Sequence, residues 1–167
     1  MNPQVDEFVQ HLRERLSWPR VEAVDIEGTL WIACRPDNPS HESIGLWIDR
    51  DLECVQAVGM GVWHYHPETL EEAVVMMGTL IRGEQWILEQ YSTTGRYKCS
   101  GPEKPGTRPD TLPLDIGWMI ERPFNQEPRR REVDLSGYVR GRYDFVDPGY
   151  KERTEKLWRE LGINQQL

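Results

Sequence analysis

The chain has 167 residues, 38% of them apolar, with seven tryptophans and a formal net charge of −8. That length matches one domain of roughly 100–200 residues, and the apolar share is enough for a core, which excludes a wholly disordered chain. No apolar run approaches the roughly 18 residues that a bilayer-spanning helix requires, so no membrane partner is expected.

The first predicted element is an amphipathic helix. Val5, Phe8, Val9, Leu12 and Leu16 recur at helical spacing, Asn2 can cap and Pro3 suits the first helical position, while Ser17-Trp18-Pro19 ends it. A strand-rich block follows. Arg20 to Ile26 alternates, Glu27-Gly28 is a tight turn, Thr29 to Cys34 is an apolar strand, and Pro36 to Ser40 is a loop because its two prolines cannot donate to a ladder. Ser43 to Ile48 and Glu53 to Val58 read as the next two strands around the turn Asp49-Arg50-Asp51. Gly59-Met60-Gly61 permits a bend before Val62 to His66.

The apolar stripe Leu70, Ala73, Val74, Met77 and Ile81 predicts a central helix over about 67–82, with Pro67 opening it, His66 as N-cap and Gly83 as its stop. Gln85 to Tyr91 alternates as a strand, and Thr93-Thr94-Gly95 turns it into Arg96 to Cys99. Residues 100–113 read as a Pro- and Gly-rich loop, Ile116 to Ile120 as a short strand, and 121–147 shows no clear period; its Arg129-Arg130-Arg131 run reads as a solvated loop. A C-terminal helix over about 148–161 is predicted from Asp147-Pro148 and the stripe Tyr150, Thr154, Leu157, Trp158 and Leu161. The sum is a single α+β domain over 1–167, a mainly antiparallel sheet of about six or seven strands with three helices.

Charge and cysteine usage narrow the setting. Residues 1–90 carry 16 acidic and 6 basic side chains, whereas 91–167 carry 12 and 14. An acidic half disfavours nucleic acid, whose affinity rests on Lys and Arg displacing counterions, and would attract a basic partner. Cys34, Cys54 and Cys99 form no CxxC pair and read as buried free thiols, and residues 1–7 lack the features of a secretory signal. A cytoplasmic location is the expectation.

One segment invites chemistry: Trp63-His64-Tyr65-His66-Pro67-Glu68. On an extended strand His64 and His66 share a face, so both imidazoles could reach one metal, with Glu68, Glu42, His41 or Cys54 as formal third ligands. The pattern resembles the HxHP core of JAMM-type zinc metalloproteases, which implies zinc and hydrolysis. In that family a serine and a zinc-binding aspartate follow on the helix, and here their positions fall on Val74 and Met77, both in the apolar stripe. The plainer reading has His66 capping the helix and His64 packing on a sheet.

The segment Trp63 to His66, followed after a helix by Leu80-Ile81-Arg82-Gly83-Glu84, also resembles small acidic bacterial immunity proteins of polymorphic-toxin systems. That resemblance implies a non-catalytic toxin inhibitor without cofactor that occupies the active surface of its target. The acidic side chains Asp49, Asp51, Glu53, Glu68, Glu71 and Glu72, continued by Glu84 and Glu89 and opposed by Arg50 and Arg82, are the expected docking face for a basic toxin. A zinc-dependent hydrolase using His64 and His66 is the alternative, and Trp-rich strands leave a homo-oligomer open.

Overall fold

The computed structural model describes residues 3–106 and 116–132. Helix α1 (Pro3–Leu16) turns Val5, Val9, Leu12 and Leu16 inward at the predicted spacing and stops where Ser17 takes a positive φ of 50°. Arg13 at its end donates through Nη2 to the carbonyl of Val21 at 2.7 Å, tying the helix to the first strand.

Strands β1 (Val21–Ile26), β2 (Thr29–Cys34), β3 (Ile44–Asp49), β4 (Val55–Met60) and β5 (Trp63–Tyr65) form an antiparallel five-stranded meander in sequence order. The β1–β2 turn places Glu27 and Gly28 at φ of 50° and 98°, the doubly left-handed turn that suits the twist of a two-residue hairpin. The sheet's inner face, made by Leu30, Ile32, Cys34, Ile44, Leu46, Ile48, Val58, Met60 and Trp63, is buried. Helix α2 (Leu70–Ile81) packs beside β4 and α1, sending Ala73, Val74, Met77 and Leu80 into that core. Each fully buried Leu- or Ile-sized side chain contributes about 1.5–3 kcal/mol.

The N-terminus of α2 differs from the sequence expectation. The cap is Thr69, not His66: its hydroxyl accepts from the Glu72 amide at 3.1 Å, while the Glu72 carboxylate reaches back to the Glu68 amide at 2.9 Å. The Thr-x-x-Glu pattern supplies a side-chain acceptor at each of two orphan amides, which an imidazole three residues earlier cannot match. At the other end Gly83, at φ 70°, stops the helix as expected, and the amide of Glu84 returns to the carbonyl of Thr79.

Strands β6 (Trp86–Ser92), β7 (Tyr97–Glu103), β8 (Ile116–Arg122) and β9 (Arg129–Glu132) build a second antiparallel sheet in the order β7-β6-β8-β9. Two sequence expectations are corrected here. Strand β7 continues through Pro102 to Glu103, a proline accommodated because β7 is an edge strand. The Arg129-Arg130-Arg131 run is the other edge strand rather than a loop: Arg129 lies over Trp86 at 5.2 Å and Arg130 over Trp118 at 4.6 Å, so guanidinium–indole stacking holds basic residues on a strand. The described residues thus hold nine strands, more than the six or seven expected.

Ile87 and Phe124 join the second sheet to the main core, and Phe124 meets Trp18 edge-on at 5.1 Å. The β8–β9 turn is fastened to the β2–β3 loop by Asn125 with Asp37 and by His41 with Glu127 at 2.9 Å. No described helix is long and apolar enough to cross a membrane. The predicted helix over 148–161 lies outside the described residues. Of the three free thiols, Cys34 is buried as expected, whereas Cys54 and Cys99 are exposed.

Candidate functional site

Strand alternation decides what the histidines can do. His64 sits opposite Gly59 on the outer face of the five-stranded sheet, while Trp63 and Tyr65 point to the inner face. His66 follows the strand, and its Nδ1 is 2.7 Å from the Gln56 carbonyl. A carbonyl only accepts, so Nδ1 carries the proton and Nε2 is the free lone pair of the neutral ring. The two rings meet edge-on with centroids 5.3 Å apart.

Val74 and Met77 belong to the core on the sheet's inner face, across the sheet from His64. Helix α2 therefore offers no third ligand. His41 is engaged with Glu127, and among the described residues no three His, Cys, Asp or Glu side chains converge as a metal site would require. Two imidazoles fall short of the three protein ligands that hold a catalytic zinc with its fourth position open.

The predicted acidic residues divide by the work they do. Asp49, at the end of β3, accepts from the amides of Glu53 and Cys54 at 2.8 and 3.0 Å and so folds the β3–β4 turn. Glu71 is bound by Arg15 of α1, and that hydrogen bond first, then the nearby positive charge, holds its carboxyl below the usual range. Glu72 is likewise lowered, by the Tyr65 hydroxyl first and the Glu68 amide second, and the same contact raises Tyr65. Asp51, Glu53 and Glu68 keep their carboxylates unengaged by described residues. The His66–Gln56 bond draws the end of β5 beside the start of β4, so Glu68 lies at the same end of the sheet as the turn bearing Asp51 and Glu53.

The local cation, Arg50, is taken by Asp25 at 2.7 Å. Glu84 pairs with Arg82 at 2.7 Å. Glu89 leaves the predicted face altogether: it is 0% exposed, bonded to Arg122 at 2.5 Å and to the Tyr91 hydroxyl at 2.9 Å.

A second feature of the outer face went unread in the sequence. Trp31 and Trp47 are cross-strand partners with ring centroids 6.4 Å apart, and beside them Gly45 pairs with Gly59. A Cβ on Gly45 would collide with Nε1 of Trp31 and lie 3.0 Å from Cη2 of Trp47, and one on Gly59 would lie 3.2 Å from Cζ3 of Trp47, so the two glycines make room for the edges of both indoles. The Arg35 guanidinium, held by Glu22, covers Trp31 at 4.8 Å. At the β1 edge Val24 and Ile26 are 40% and 50% exposed. The signal was the Gly-x-Trp spacing in β3 set against a glycine in the next strand. No family model, no curated protein and no solved structure matches this chain.

Proposed function

We propose that this chain is a non-catalytic binding protein that captures a basic protein at the acidic end of its five-stranded sheet, in the manner of an immunity protein blocking a toxin. The observation that supports this reading is the placement of Asp51, Glu53 and Glu68 at one end of the sheet with their carboxylates unengaged by described residues, while Arg50 is neutralised by Asp25. Unpaired like charges cost stability through mutual repulsion, and a basic partner relieves that cost while gaining association rate. The reading carries a cytoplasmic location, in keeping with three unpaired cysteines.

The test is affinity capture from the source cell with the wild type and with Asp51→Lys/Glu53→Lys/Glu68→Lys, at low and high salt, the captured protein being identified and its charge measured. A stoichiometric basic protein should bind the wild type, leave at high salt, and ignore the triple variant. Equal retention by the charge-reversed protein sinks the reading. The second reading, a metal-binding protein using His64 and His66, is favoured by one observation: His66 already donates Nδ1–H to a carbonyl, the orientation that metal-ligating imidazoles use. Zinc at near one equivalent, lost in His64→Ala, would support it.

A further inference from the structure

We infer that β1 is the contact edge of a homodimer: two copies of the chain pair antiparallel through this strand, with the two-fold axis at Val24, and join their five-stranded sheets into one continuous sheet. The dimer does not depend on the capture of a basic protein.

The hairpin fixes which way the backbone groups of β1 point. The Arg35 amide donates to the Arg20 carbonyl at 2.8 Å, so the even-numbered residues on this side of the hairpin bond to β2. Bonding alternates along an antiparallel pair, and Val21, Ala23 and Asp25 therefore turn their amides and carbonyls to the free edge. In keeping with this, the Val21 carbonyl accepts from Arg13 of α1 at 2.7 Å. Among the described residues nothing bonds the backbone groups of Ala23 or Asp25, and β1 is the outermost strand of its sheet.

Open edges are ordinarily blunted by shortness, proline or charge. The other edges of the two described sheets follow that rule: β5 is only three residues long, β7 carries Pro102, and β9 is a run of arginines. Strand β1 does not. Its six residues hold an unbroken register with β2 and include neither proline nor lysine. Val24 and Ile26, beside Trp31 on the outer face, are among the most exposed large apolar side chains of the described residues.

Charge and register select a second copy as the occupant. The chain carries −8 overall, yet both carboxylates of β1 are neutralised in place, Glu22 by Arg35 and Asp25 by Arg50. Pairing centred on Val24 sets Ala23 opposite Asp25 of the second copy and the reverse, so the free amides and carbonyls of the two strands satisfy one another. Val24 then faces Val24 of the second copy in the close, non-bonded position, and the cross-strand row Trp47, Trp31 and Val24 continues across the axis. Centring on Glu22 or Asp25 would set like carboxylates against each other, and centring on Ala23 requires the Val21 carbonyl that Arg13 holds. A strand that complements itself in one register is what a two-fold interface needs.

The experiment is sedimentation velocity of the full chain over a range of concentration and salt. The wild type should form a dimer that tightens as salt rises, because screening weakens the repulsion between two acidic chains; capture of a basic protein has the opposite salt dependence. Val24→Lys should weaken the dimer roughly 10- to 100-fold. In a Cys54→Ser/Cys99→Ser background, Val24→Cys should cross-link on oxidation, whereas Val75→Cys, exposed on α2, should not. The amides of Ala23 and Asp25 should exchange more slowly with solvent in the dimer. If Val24→Lys alters the fold by circular dichroism, the Val24→Cys cross-link and the exchange of those two wild-type amides decide the matter. A monomer at every concentration and salt overturns the inference. So does a dimer that Val24→Lys leaves intact and Val24→Cys does not cross-link, since its interface lies elsewhere. A dimer abolished by Val24→Lys, in a protein that captures no basic partner, supports the inference and removes only the functional reading.

Discussion

The buried pair Glu89 and Arg122, which links the neighbouring strands β6 and β8, offers the sharpest test of what a sealed ion pair contributes to the second sheet. Glu89 is 0% exposed, and the side chain of Arg122 is 21% exposed. The β4–β5 turn lies over them, since a Cβ on Gly61 would be 3.5 Å from Oε1 of Glu89. Removing one partner of a fully buried pair costs about 3–5 kcal/mol, because the remaining charge stays desolvated. Residual solvent at Arg122, and the hydrogen bond that Tyr91 still donates to Glu89 at 2.9 Å, reduce that to about 2–4 kcal/mol for Arg122→Met. With a urea dependence of about 2 kcal/mol per molar, the unfolding midpoint should fall by about 1–2 M.

Glu89→Leu/Arg122→Met removes both charges and should return to within about 1 kcal/mol of the wild type, the remaining loss being the acceptor for Tyr91. Equilibrium urea unfolding of the wild type, both single variants and the double variant gives the coupling directly. A double variant as unstable as Arg122→Met alone would refute the reasoning, because the cost would then come from lost packing and not from an orphaned charge.

Four further outcomes follow. Thr69→Ala should cost about 1 kcal/mol in urea unfolding by freeing the Glu72 amide, whereas His66→Ala should leave the helix cap unaffected. Met77→Asp, which places a charge at a 0% exposed core position, should abolish the cooperative thermal transition seen by circular dichroism. Asp25, Glu71, Glu72 and Glu84 all have folded-state pKa values lowered by their hydrogen-bond partners, so their contribution is present above the unfolded carboxylate range, near 4, and is lost as pH falls through the lowered values. Urea midpoints should therefore drop between pH 6 and pH 3, on the order of the usual acid window, with Glu71→Gln shrinking the drop. Burial pushes the Cys34 thiol up to about 12, so a thiol-reactive dye should label Cys54 and Cys99 in the native protein and Cys34 only after unfolding.

The elements legible in the sequence were those whose own side chains carry a period. Val5, Val9, Leu12 and Leu16 announce α1, and Ala73, Val74 and Met77 announce α2 and its inward face, because a 3.6-residue stripe needs no knowledge of the partner that buries it. The meander was readable because Glu27-Gly28 and Asp49 to Asp51 punctuate it. Strand β9 and the second half of β7 were not, because their residues argue against a strand locally. Pro102 is tolerated only because β7 is an edge, and Arg129 and Arg130 are held by Trp86 and Trp118, contacts that exist only once β6 and β8 are in place.

The acidic surface shows why residue type alone is a poor guide to a site. Eight carboxylates in one stretch look equivalent as a charge count, yet Asp49 folds a turn, Glu71 and Glu72 fasten α2 to its neighbours, and Glu89 is sealed between sheets. What separates them from Asp51, Glu53 and Glu68 is the presence of a donor within reach, and donors such as Arg15 and Arg122 come from distant parts of the chain. The Trp31–Trp47 pair has the same origin. Trp47 could be assigned to a strand from its neighbours, but which way its ring lies is set by Gly59, twelve residues on, through a register that the bulge at Trp47 and Ile48 helps to fix. A surface made by cross-strand neighbours is therefore a property of register, and local pattern can name its residues without showing that they form one face.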